Sequence, residues 1–252
     1  LCWANENWAR NWAGGFKDVL IQQNYSEEDD INHMRYLCSN VFCDNRYIRV
    51  NGKPVFCIYR PHYFPNIKHT IDTWRKIAAD EFHMELYLCF FEAPVYSAKD
   101  FIGCGFDAVV DFQPTCVGEF GKNKNILHKL YSKIFPKKKN IFNIIYSYKD
   151  YVKYKCNQPM PSYKQYPCVS PGWDNSCRRQ HSSFMMFKGN TPKLFGEWLN
   201  NAFNKFVPYS KDENFVFINA WNEWAEGNHL EPDVKWGHQF LDVVKSATED
   251  DK

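Results

Sequence analysis

With 252 residues the chain is long enough to bury a sizeable core, most simply as one domain over 1–252. Its 31 Lys and Arg against 29 Asp and Glu leave a formal charge of +2, which gives no footing for nucleic acid as a partner, and no run of about twenty apolar residues provides a membrane-spanning helix. Aromatic residues make up 18% of the chain, more than a core needs, so a sugar-binding cleft stands beside simple aromatic packing as their explanation.

Leu1-Cys2-Trp3-Ala4 reads as the end of a strand and Asn5-Glu6-Asn7-Trp8 as its exit loop; the opening inside a strand, without methionine, reads as a missing N-terminus. A helix is expected from Tyr25 to Ser39, with Ser26 as N-cap and acids Glu27 to Asp30 in its first turn. Asn51-Gly52 is a hairpin signal between Tyr47–Val50 and a strand over Lys53–Tyr59. Ile71 to Phe82 suits a helix, with Ile71, Trp74, Ile77 and Ala78 on one face. Apolar strands follow at Leu86–Phe91 and Phe106–Phe112, and then a long polar insertion with a basic loop at about 117–140. Tyr166–Ser170 is a short strand, Thr191-Pro192 opens a helix running through Phe203, Phe215–Ala220 is the last strand, and Gly237–Lys245 the last helix.

Continuous apolar strands alternating with helices indicate a parallel sheet covered on both faces. Six such strands end in polar or aromatic residues: Asn5 and Glu6, Tyr59 and Arg60, Glu92, Gln113, Trp173 and Asp174, Asn222 and Glu223. Polar groups gathered at the carboxyl ends of parallel strands are the active-site pattern of a (β/α)8 barrel, here an α/β fold with about six of eight strands present; a doubly wound sheet is the alternative. The ten cysteines form no Cys-x-x-Cys pair, and Cys2, Cys57, Cys89 and Cys168 lie in strand-like runs, where they read as small buried hydrophobes; the pattern points to reduced thiols and an intracellular setting.

The chemistry concentrates in Ala220-Trp221-Asn222-Glu223-Trp224-Ala225-Glu226-Gly227, at the exit of the last strand. Glu223 and Glu226 are the candidate catalytic pair, because glycoside hydrolysis commonly uses two carboxyl groups flanking the scissile bond, and apolar surroundings let one of them keep its proton near neutral pH. Trp3, Asn5, Glu6, Trp8, Tyr59, Arg60, Trp173, Asp174, Trp221, Asn222 and Trp224 are the candidate saccharide-binding residues, the indoles as platforms for pyranose faces. Asp174 has a second reading, an Asx-turn closing a loop. His229, Glu231 and Asp233 carry ligand-type side chains but no second cluster supports them, so no metal and no organic cofactor is expected.

These motifs, with Arg46-Tyr47-Ile48-Arg49-Val50-Asn51-Gly52-Lys53-Pro54, Tyr59-Arg60-Pro61, Gly105-Phe106-Asp107-Ala108, Gly172-Trp173-Asp174-Asn175 and His229-Leu230-Glu231-Pro232-Asp233, give the chain a resemblance to the WbsX family over nearly its whole length. Members of that family are often labelled glycosyltransferases of polysaccharide biosynthesis. The family is similar in turn to the family 99 glycoside hydrolases, (β/α)8 barrels whose active-site stretch has a like Asn-Glu-Trp-x-Glu-Gly pattern. The resemblance implies that Glu223 assists the sugar 2-hydroxyl as base, that Glu226 protonates the leaving oxygen, and that the 2-hydroxyl is the internal nucleophile, giving net retention. Ala225 stands where those hydrolases commonly carry histidine. Three functions remain in play: a retaining hydrolase or transglycosidase acting on a glycan, a glycosyltransferase of surface polysaccharide synthesis, and a non-catalytic glycan-binding fragment.

Overall fold

The computed structural model describes residues 1–10, 15–93, 95–114, 120, 143–179 and 184–249. The basic loop expected at 117–140 lies, apart from Phe120, outside the described residues.

Strand β1 (Cys2–Trp3) is followed by an antiparallel hairpin of β2 (Trp8–Arg10) and β3 (Gly15–Ile21). Helix α1 (Glu27–Asn40) begins where the sequence placed it: the Ser26 side chain accepts the Asp29 N–H at 3.1 Å, and four acids fill the first turn, where the helix dipole favours them. The hairpin of β4 (Arg49–Val50) and β5 (Lys53–Ile58) turns through Asn51 and Gly52 at φ 48° and 81°, as its Asn-Gly signal demands. Helix α2 (Ile67–Phe82) starts four residues earlier than expected, because Asn66 caps it by accepting the His69 N–H at 3.1 Å. Strands β6 (Tyr87–Phe91) and β7 (Ala108–Val110) flank a short helix α3 (Lys99–Ile102).

Beyond β7 the chain holds two elements that its polar composition hid. Strand β8 (Ile144–Ser147) runs into helix α4 (Tyr148–Asn157), capped by Ser147 and burying Tyr148, Tyr151 and Val152 at helical spacing. Strand β9 (Gln165–Tyr166) and strand β10 (Cys168–Val169) are separated by Pro167. Strand β11 (Met185–Lys188), also unexpected, pairs parallel with β8. Helix α5 (Pro192–Lys205) has Thr191 as N-cap and proline in its first turn. Strand β12 (Phe217–Ile218) precedes a small antiparallel pair, β13 (Asn222–Glu223) and β14 (Asn228–His229), and helix α6 (Gln239–Glu249) follows.

All six strands read from the sequence are present, in parallel array. The ladder runs β1-β5-β6-β7-β9, and β10 pairs parallel with β12. This is the α/β arrangement expected of a (β/α)8 barrel; among the described residues the ladders do not close into one continuous ring.

Side chains of each strand alternate between two apolar layers, which is why the strand sequences are apolar throughout. Phe56, Ile58 and Leu88 face the layer of α1 and α2, where Met34, Leu37, Ile71 and Trp74 pack. Val55, Cys57, Tyr87, Cys89, Phe91 and Val110 face the opposite, inner layer. A third apolar cluster joins α4, α5 and α6 around Tyr148, Tyr151, Phe195, Trp198 and Phe240. Cys57, Cys89 and Cys168 are buried as expected; Cys2 is not, because β1 is the edge of the described sheet. The nine described cysteines are all free thiols. Among the described residues no helix is long and apolar enough to cross a membrane.

Candidate active site

A cavity of about 1030 Å³ opens where the strands end. Ala4 to Asn7 reach it from β1, Tyr59 and Arg60 from β5, Phe112 from β7, Trp173 from the segment after β10, Asn219 from β12, and Glu223 and Glu226 from the turn beyond it.

Asn5 ties the first two of these strand ends together. It is fully buried; its Nδ2 donates to the Arg60 carbonyl at 2.8 Å and to Tyr25 Oη at 3.0 Å, while its Oδ1 accepts the Arg60 N–H at 2.8 Å. A buried amide at the end of one strand that satisfies both backbone groups of a residue at the end of the next fixes their relative position. Arg60 then folds back. Its guanidinium lies 3.8 Å above the Tyr59 ring, donates to Tyr59 Oη at 2.7 Å and pairs with Glu6 at 3.0 Å. Burial pushes the Tyr59 hydroxyl up to about 12, although Arg60 opposes the shift, so this phenol stays protonated and able to donate.

The glutamates sit on a tight hairpin. Glu223 closes β13 and pairs across to Asn228; Trp224–Glu226 form one 3-10 turn, and Gly227 ends it at φ 55°. A Cβ at Gly227 would stand 3.1 Å from Asp174 Cβ, so the left-handed turn and the close approach both require glycine. The turn presents both carboxylates to the cavity. Between them lies Arg178, with Nη1 bonded to Glu226 Oε1 and Nη2 3.5 Å from Glu223 Oε1. Glu226 is the more enclosed of the pair. Burial raises its carboxyl above the ordinary range; Arg178 pulls it down, the Glu223 charge pushes it up, and the net shift is upward.

The candidate residues therefore divide. Asn5, Glu6, Tyr59, Arg60, Trp173, Glu223 and Glu226 line one cavity. Trp3 lies outside that lining, packed with Tyr25, Phe64 and Trp74 over the helix layer. Asp174 is also outside it, and takes the Asx-turn reading: its Oδ1 accepts the Ser176 N–H at 2.9 Å, and its own N–H bonds the Glu226 carbonyl at 2.6 Å. Asn222 is exposed and paired across to His229. Trp8, Trp221 and Trp224 are exposed and absent from the lining; Trp224 stacks on His229 at 3.7 Å and donates Nε1–H to Glu231 at 2.6 Å. The expected tryptophan wall thus reduces to Trp173, because the hairpin that aims its carboxylates inward leaves Trp221 and Trp224 at the surface. Glu92 and Gln113, also strand-end residues, serve packing instead: Glu92 accepts from Tyr163 and Gln165, and buried Gln113 accepts from Tyr151. Sequence reasoning assigned no site role to Tyr25, Tyr63, Phe112, Asn219, Arg178 and Arg179 of the lining, although the Arg178-Arg179 pair stands shortly after the Gly-Trp-Asp-Asn turn.

The chain belongs to the family described as Glycosyltransferase WbsX, whose model matches residues 1–244. Two relatives, both "Uncharacterized protein WxcX" from strains of Xanthomonas campestris pv. campestris, are 32% identical over 248 residues, covering 98% of this chain and 34% of theirs. The chain thus spans about a third of the length of the curated relatives it matches. Among solved structures, the GH99 endo-α-mannosidase from Bacteroides thetaiotaomicron superposes with a TM-score of 0.54 at 14% identity, over 90% of this chain and 62% of that one. That likeness shows the fold.

Proposed function

We propose that this chain carries the catalytic site of a carbohydrate-active enzyme of the retaining hydrolase or transglycosidase type, acting on a glycosidic bond of a polysaccharide or oligosaccharide. The observation that carries this reading is the convergence of Glu223 and Glu226 on one cavity at the strand ends, with burial keeping Glu226 protonated to higher pH than an ordinary glutamate. Glu226 is the acid. It delivers its proton to the leaving glycosidic oxygen as the bond to the anomeric carbon breaks. Glu223 is the base. It takes the proton of the sugar 2-hydroxyl, whose oxygen closes on the anomeric carbon to form a 1,2-anhydro sugar. Opening of that ring by water or an acceptor hydroxyl returns each proton: the incoming O–H gives its proton to Glu226, and O2 recovers one from Glu223. Trp173 supplies an apolar face in the same cavity, and Tyr59 and Arg60 supply donors to it.

The test is substitution of each carboxylate in turn. Glu226→Gln and Glu223→Gln should each lower turnover of an activated glycoside by about 10²-fold or more, with saccharide binding by calorimetry nearly unchanged. Turnover at the unsubstituted rate in either variant removes the proposal. The family description favours a second reading, a transferase using an activated sugar donor. Micromolar calorimetric binding of nucleotide sugars would select it over the first.

A further inference from the structure

We propose that Arg178 is the positioning residue of this site: its guanidinium bridges Glu223 and Glu226, holds the two carboxylates in a fixed relation, and compensates the charge that appears on Glu226 when it gives up its proton. This rests on the reading of the glutamates as the reacting pair.

Three observations carry it. The first is the fork itself, with one terminal nitrogen of Arg178 on Glu226 and the other 3.5 Å from Glu223. Lysine, a point charge, cannot reproduce two directed contacts from one planar group. The second is the backbone that delivers it. Arg178 ends a 3-10 turn (Ser176–Arg178) stitched to the glutamate turn: Asp174 N–H donates to the Glu226 carbonyl at 2.6 Å, and Cys177 Sγ lies 3.0 Å from the Ala225 carbonyl. The same segment is anchored on its other side to β11, where Asn175 N–H donates to the Met185 carbonyl at 3.3 Å and the Asn175 side chain accepts the Met185 N–H at 2.9 Å. The third is enclosure. The Arg178 side chain is 25% exposed and Glu226 is 20% exposed, so their attraction is screened far less than that of a surface pair. A site whose reacting groups are held by a locked neighbour needs less rearrangement during the reaction.

When Glu226 transfers its proton it becomes an anion in a half-buried place. Without Arg178 that anion would have only the weaker pull of Arg179, which also lines the cavity, to offset its desolvation. The guanidinium therefore lowers the cost of the transfer through its contact with Glu226.

The experiment compares Arg178→Gln and Arg178→Lys in the full chain. In Arg178→Gln, kcat on an aryl glycoside should fall about 10²-fold with KM within about threefold. Arg178→Lys should recover about a tenth of the lost rate or more. The basic limb of the pH–rate profile should move to higher pH in Arg178→Gln, because the cation that favoured ionised Glu226 is gone. Added to Glu226→Gln, Arg178→Gln should cost clearly less than its loss as a single variant, because only the hold on Glu223 is then left to lose. Carbon-detected NMR titration of the Glu226 carboxyl needs no substrate and should show the same upward movement. An unmoved Glu226 titration in Arg178→Gln, or a full additional loss in the double variant, overturns the role. So does an equal loss of rate and thermal stability in the Gln and Lys variants, which would mark Arg178 as packing only. Undiminished turnover by Glu226→Gln sinks the catalytic reading itself, an outcome the titration registers separately.

Discussion

Glu223 and Glu226 are three residues apart but differ in surroundings, the first with 39% and the second with 20% of its side chain exposed. For Glu226 the upward shift from burial has a consequence for stability. The native chain holds this proton over a window that begins near the ordinary glutamate value of about 4.3, where the unfolded chain releases it, and ends at the raised folded value. The stability contributed by the group is complete below that window and is lost as pH rises through it. Glu226→Gln is neutral at every pH and carries no such loss. The stability of Glu226→Gln relative to the unsubstituted chain should therefore climb with pH across the window and then level off. Urea unfolding at a series of pH values measures this; a flat or falling difference would contradict the raised carboxyl.

At the scale of elements, two glycines end turns with positive φ for different reasons. Gly52 turns the β4–β5 hairpin in open space, with nothing within 4 Å of where a Cβ would stand, whereas Gly227 lies against Asp174 as it turns the glutamate hairpin. Gly52→Ala and Gly227→Ala should each lose about 1–2 kcal/mol in denaturant unfolding, the cost of left-handed backbone for a residue with Cβ. Only Gly227→Ala should also lower turnover, by about tenfold or more, because the methyl displaces the Asp174 segment that carries Arg178. Equal activity in the two variants would separate the turn from the site. Cap residues made the starts of α1 and α5 legible, at Ser26 and Thr191, whereas the caps at Asn66 and Ser147 went unread. Strand β8 and helix α4 were not legible, since Ile144-Ile145-Tyr146 and the tyrosine face of Tyr148 and Tyr151 sit among lysines that lower the local apolar signal.

Across the whole molecule, acidic groups are used in opposite senses at the two ends of the sheet. Glu226 stands beyond the carboxyl ends. At the amino ends of β6 and β9, buried Glu213 accepts from Tyr87 at 2.8 Å and pairs with Lys164, while Tyr87 and Tyr166 share a hydrogen bond at 2.6 Å. Burial alone would raise the Glu213 carboxyl, but Lys164 and the Tyr87 hydroxyl outweigh it and hold it below the ordinary range. Its contribution is thus present above the unfolded value and lost as pH falls through the folded one. Glu213→Gln should be less stable than the unsubstituted chain at neutral pH, with the gap closing on acidification. Thermal melts from pH 7 downwards read this, and a gap that widens in acid would refute it.

The sequence by itself determined the alternation of apolar strands and helices, the six parallel strands, and the identity of the two glutamates as the candidate pair, because hydrophobic periodicity, capping residues and turn dipeptides act over a few residues and are written locally. Only the tertiary structure decided which strand-end groups share the cavity. Trp3 and Trp224 have the same local texture as Trp173, yet Trp173 alone of the three lines it, and Arg178 reaches the glutamates from 45 and 48 positions away. Convergence of that kind depends on how the strand-end loops pack against one another, through contacts such as Asp174 to Glu226 and Asn5 to Arg60, and no local pattern encodes it.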